Sequence, residues 1–114
     1  MPLTNPLTNP LALRLITMGV AQFFDLGTFV TMVRAHGVAA EVNPIVAALA
    51  SDYGIPTVAL VKFALVILVA STTLILATRI RTPMATRLAV VVVFTGIFAG
   101  LVGGWSNAVA IGVF

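Results

Sequence analysis

An all-α fold built from membrane-spanning helices follows from three observations on this 114-residue chain. It is 61% hydrophobic and only 8% charged, whereas a soluble domain covers its surface with roughly a quarter charged residues. Its apolar residues come in long runs, IPTVALVKFALVILVASTTLILA over 55–77 and LAVVVVFTGIFAGLVGG over 88–104. A hydrocarbon core about 30 Å thick takes roughly 20 apolar residues per helix. The predicted architecture is a polytopic transmembrane bundle in one domain, 1–114. It has three long helices and a short half-helix between the first and second.

The opening MPLTNPLTNPLALRL repeats PLTN. Pro2, Pro6 and Pro10 keep it out of a helix until Pro10, which fits a first helical turn. A secretory signal wants a basic start and an uninterrupted apolar core. Asp25 interrupts the apolar segment, so a retained helix over about 11–35 is expected after a short tail, 1–10. Gly37 ends that helix. Pro44 starts a half-helix over 44–53, about half a bilayer long at roughly 1.5 Å per residue. Such a piece is re-entrant, interfacial or packed on the bundle. Gly54 and Pro56 punctuate the start of a helix over 55–78. Arg79, Arg81, Pro83 and Arg87 form the next connection, and a last helix covers 85–113.

Basic residues mark the cytoplasmic side of a membrane. Arg79, Arg81 and Arg87 therefore place the 79–87 loop in the cytoplasm. The N-terminus with Arg14 lies on the same side if the half-helix does not cross, and the C-terminus lies outside. With no cysteine, disulfide and thiolate chemistry are absent. The net charge of +3 comes without a basic-aromatic patch or a glycine-rich phosphate loop, so nucleic acid is not an expected partner. No cofactor, metal or catalytic residue is expected either. Ser51, His36 and Asp52 share one loop region without an oxyanion context. His36 reads as an interfacial loop residue, Asp52 and Tyr53 as a helix end, and Trp105 as an interfacial or packing aromatic.

The informative stretch is FFDLGTFVTMVRAHGVAAEVNPI, residues 23–45. Asp25 lies about ten residues before the outer end of the first helix, and Lys62 about seven after the outer start of the next. Their depths agree within roughly 5 Å. An unpaired charge at a helix centre costs about 2.5 to 3.5 kcal/mol, and pairing relieves most of that. Gln22, Asp25 and Thr28 share a face, which should look into the bundle. Asn43 suits an N-cap before Pro44, and Glu41 lies near the same positive helix end. If the half-helix tucks in, Glu41 joins Asp25 and Lys62 in a buried charge cluster with one spare negative charge.

The order Asp25-x-x-Thr28, Glu41-x-Asn43-Pro44, then Lys62 within the next apolar helix, resembles a family of small bacterial and archaeal membrane proteins, domain of unknown function 5658. The similarity covers roughly residues 20–80. It implies a polytopic fold and marks those positions as signature residues. It implies no activity.

Gly96, Gly100, Gly104, Ala108 and Gly112 recur at intervals of four, forming a groove along which another helix approaches closely. Its occupant is a helix of this chain, a second copy or a foreign membrane subunit. Two functional expectations follow. The first is an interaction or accessory subunit in the lipid bilayer, as a homo-oligomer or with a membrane-protein partner. The second is a small oligomeric ion or proton channel or transporter using the charge cluster. An intramembrane enzyme or metal-binding protein ranks third, because Lys62 repels a cation held by Asp25 and Glu41.

Overall fold

The computed structural model describes residues 9–112. The PLTN repeat before Asn9, and the end of the chain after Gly112, lie outside the described residues. The fold is all-α: α1 Pro10–His36, a 3-10 turn Val38–Ala40, α2 Pro44–Tyr53, α3 Ile55–Ile75 continued by a π-helical turn Leu76–Ile80, and α4 Pro83–Ile111. Three of these helices are long and apolar enough to cross a membrane: Pro10–His36, Ile55–Ile80 and Pro83–Ile111. The described residues extend 50 × 27 × 21 Å, and the long dimension exceeds a bilayer's hydrocarbon core of about 30 Å.

α1, α2 and α4 begin where a side-chain oxygen satisfies free amides, whereas α3 starts at Gly54 with no side-chain cap. Asn9 Oδ1 accepts from Leu11 N at 3.0 Å and Ala12 N at 3.3 Å, with Pro10 in the first turn. Asn43 repeats the device ahead of Pro44, accepting from Ile45 N at 3.0 Å and Val46 N at 3.4 Å. Thr82 Oγ1 accepts from Ala85 N ahead of Pro83, so α4 begins two residues before Ala85. Capping oxygens of this kind contribute about 1 kcal/mol each. Arg81 closes the π-helical turn in the left-handed region, φ 57°, its N–H donating to Leu76 O.

The partners along each helix define the bundle. Met18 meets Gly96, Ala21 meets Gly100, Asp25 meets Gly103 and Thr28 meets Asn107. Both numbers rise together, so α1 and α4 run parallel and in register. On α3 the order is reversed: Val58 packs with Phe29, Lys62 meets Asp25, and Thr73 lines a cavity with Arg14. The chain therefore passes up, down and up, and α2 has no crossing to make. Its Val46, Leu49 and Ala50 pack beneath Phe29, Met32, Val33 and Val58 at the far end of the bundle. The half-helix is thus a short element packed against the bundle.

Lipid is as apolar as the side chains, so helix association rests on close packing and interhelical hydrogen bonds. The α1–α4 seam shows both. A methyl added to Gly100 would meet the Ala21 backbone at 2.7 Å, and one on Gly96 would meet Met18 Sδ at 2.8 Å. The Phe24 ring occupies the place of a Gly104 side chain, and Ala108 is buried. The glycine groove is thus filled by α1 of the same chain. Gly112 does not belong to it. Its φ is 91°, no atom approaches within 4 Å of its added methyl, and its N–H donates to Ala108 O and Val109 O. It is the helix stop. Spacing by four continued the pattern one step past the last residue that packs.

Candidate functional site: an intramembrane ion pair closed by an amide

Asp25 lies two positions past the middle of α1, and its side chain points into the bundle. Its Oδ2 accepts from Lys62 Nζ at 2.5 Å, with the two side chains 12% and 20% exposed. Its Oδ1 accepts from Asn107 Nδ2 of α4 at 3.2 Å. The same amide nitrogen donates to the Asp25 carbonyl at 3.2 Å and to Thr28 Oγ1 at 3.3 Å. Thr28 in turn donates to Phe24 O at 2.7 Å and approaches Asp25 O at 3.1 Å. One carboxylate therefore ties all three long helices together. α4 accommodates it because residue 103 is glycine: a methyl there would fall on the Asp25 carboxylate.

Gln22, one turn before Asp25, donates from Nε2 to Gly96 O at 2.7 Å. Glycine exposes that carbonyl to a side chain from the neighbouring helix. Gln22, Asp25 and Thr28 thus all face α4, with Asp25 also reaching α3. The Lys62 ammonium sits 5.7 Å from the Phe29 ring centroid, a cation–π distance. Beside it a cleft of about 50 Å³ opens between α1 and α3, walled by Gly19, Gln22, Phe63 and Val66.

Glu41 stands apart from this cluster. Its Oε1 accepts from Asn43 N at 2.9 Å, and it makes no ion pair with Lys62; Asp25–Lys62 is the one ion pair among the described residues. A bond to an amide two residues away costs little chain entropy, and it keeps the carboxylate at the exposed mouth of α2. Asn43 and Pro44 serve the start of α2 and do not touch the pair. The third member of the cluster is instead Asn107, which the sequence marks only as a lone carboxamide in an apolar helix. Seeing its role requires the α1–α4 register. His36 ends α1 exposed, as do Asp52 and Tyr53 at the end of α2.

Comparison with family models, curated proteins and solved structures finds no match to this chain. Its chemistry is therefore argued from the site itself. One negative and one positive charge cancel, and the amide of Asn107 fills the remaining carboxylate oxygen. No group of three histidine, aspartate or glutamate side chains comes together among the described residues. The arrangement can hold three helices in one register. It can also, through the cleft beside Lys62, admit a water molecule to one edge of the pair.

Proposed function

We propose that this chain is a small integral membrane protein acting as an interaction or accessory subunit, whose Asp25–Lys62–Asn107 cluster fixes its helices in register. The observation that carries the reading is the closed charge count at the cluster. With Glu41 engaged at α2, no spare carboxylate stands beside Lys62 to take up a proton or cation. A charged pair within a membrane is costly to break by removing one partner, and it favours one arrangement of helices.

The outer surface supports a role in assembly. On α3 only Val58 and Thr73 are buried, and its exposed residues, among them Leu60, Phe63, Ile67 and Leu68, form a face open to lipid or another protein. On α1, the exposed Gly27 has nothing within 4 Å of an added methyl, leaving a place where a foreign helix approaches closely. The resemblance to domain of unknown function 5658 fits a polytopic protein with Asp25 and Lys62 as signature positions. The basic end with Arg14, Arg79, Arg81 and Arg87 faces the cytoplasm on this reading, and the C-terminus faces outward.

A second reading, a small ion or proton pathway in an oligomer, draws on the cleft at Lys62. Gentle purification from the native membrane, with mass spectrometry of co-eluting proteins, separates the two. A stoichiometric membrane partner is the expected result. A homo-oligomer alone, with ion flux in liposomes that is lost in Lys62→Met, overturns the accessory reading in favour of the second.

A further inference from the structure

The end of the bundle opposite α2 carries Arg14, Arg79, Arg81 and Arg87, and it holds no carboxylate. The chain has three acidic residues: Asp25 is paired with Lys62, while Glu41 and Asp52 lie around α2 at the other end. The eight residues before Asn9 contain no acid. None of these three acids stands at this end to offset the four arginines.

One of these arginines is not a surface residue. Arg14 is half-buried and lies 5.8 Å from the Phe94 ring centroid. It lines a cavity of about 280 Å³ between the start of α1, the end of α3 and the start of α4. Thr73 lines the same cavity. Its side chain is 1% exposed, and its Oγ1 is the one buried side-chain polar atom without a hydrogen-bond partner among the described residues. A buried hydroxyl left unpaired costs about 1 to 3 kcal/mol, so it marks a place where a ligand atom is expected. Asn9 and Thr86 complete the polar lining. Every polar side chain there can donate a hydrogen bond, and none carries a negative charge.

Directly deeper lies a second cleft of about 440 Å³, walled mainly by apolar side chains of the same three helices, among them Met18, Val69 and Val92, with Gln22 and Thr95 as its polar members. Met18 and Val69 are each one turn from Arg14 and Thr73, roughly 6 Å deeper in the membrane. A donor-lined cationic chamber above an apolar slot is the shape of a phosphate headgroup with its acyl chain below it. We propose that this seam is a binding site for an anionic glycerophospholipid. The phosphate is held by Arg14 and Thr73, and one acyl chain lies between α1, α3 and α4. Basic pockets between membrane helices on the cytoplasmic side bind anionic headgroups by the same physics. The inference stands apart from the accessory-subunit reading, since a lipid fills the seam whether or not a protein partner binds elsewhere.

The test is native mass spectrometry of the full chain taken from nanodiscs of equal phosphatidylglycerol and phosphatidylcholine, with retained lipids counted. The expected result is one phosphatidylglycerol per chain. Arg14→Gln should lower that retention about fivefold, the effect of one arginine near an anionic headgroup. Thr73→Val should also lower it, while leaving helix content by circular dichroism unchanged because its hydroxyl has no protein partner. Arg87→Gln, outside the cavity, should leave retention as it is. Equal retention of both lipids, or equal loss in Arg14→Gln and Arg87→Gln, overturns the proposal. Full displacement of the lipid by millimolar inorganic phosphate would reassign the chamber to small anions and overturn it too. If Arg14→Gln does not insert, Thr73→Val decides alone: unchanged retention sinks the site.

Discussion

Gly100 lies so close to Ala21 that a methyl group on it would meet the Ala21 carbonyl carbon at 2.7 Å and its oxygen at 2.8 Å. The obstacle is backbone, which cannot swing aside as a side chain does. Gly100→Ala should therefore push α4 off α1 and destabilise the fold by about 1 to 3 kcal/mol, the usual cost of overpacking. The check is reversible unfolding in mild detergent, following helicity against denaturant. A neutral result would mean that the α1–α4 seam is looser than this geometry.

The opposite outcome is expected on the outer face of α1. Nothing lies within 4 Å of a methyl added to Gly27, and glycine within a helix is less stable than alanine by about 0.5 to 1 kcal/mol. Gly27→Ala should make the isolated chain slightly more stable in the same assay. Weaker capture of a co-purifying partner by that variant would locate the partner on α1.

Asn107 donates to Asp25 Oδ1, to the Asp25 carbonyl and to Thr28 Oγ1 from one amide. Asn107→Leu keeps the volume and removes every donor. A hydrogen bond to a charged group contributes about 1.5 to 3 kcal/mol, and a loss of stability in that range is expected. Measured with Asp25→Asn in a double-mutant cycle, the two effects should be strongly non-additive.

Glu41→Gln should change stability by less than about 0.5 kcal/mol, as substitutions away from buried networks do. Its oxygen still accepts from Asn43 N–H, and its charge has no partner at Lys62. A double-mutant cycle of Glu41→Gln with Lys62→Met should show no coupling. Coupling above 1 kcal/mol would restore Glu41 to the cluster.

These expectations mark where sequence is enough and where it is not. The three long helices were legible because each runs apolar for a membrane's width. Pro10, Pro44 and Gly54-x-Pro56 mark helix starts. The Thr82-Pro83 start of α4 reads instead as connection, because Arg79, Arg81 and Arg87 surround it. The Asp25–Lys62 pair was legible because residue counts from a shared membrane end give depth, and depth is the coordinate that two charges must share. Glu41 was misplaced because depth arithmetic says nothing of a side chain that can turn back to an amide of its own loop. Asn107 was missed for a different reason. It reaches Asp25 only because α4 runs parallel to α1 in one register, and a pattern of glycines gives the face of a helix without naming what lies on it. Gly112 shows the same limit, since an interval of four does not separate a packing glycine from a terminating one.

The most direct test of the account is a double-mutant cycle on Asp25→Asn and Lys62→Met, with stability measured in bilayers by steric trapping. Each single variant leaves one charge unpaired within the membrane, at a cost of about 2.5 to 3.5 kcal/mol. The account predicts that the double variant recovers most of that loss, giving a coupling of at least about 2 kcal/mol. Single effects that simply add, with no coupling, would contradict the claim that this pair holds the three helices together.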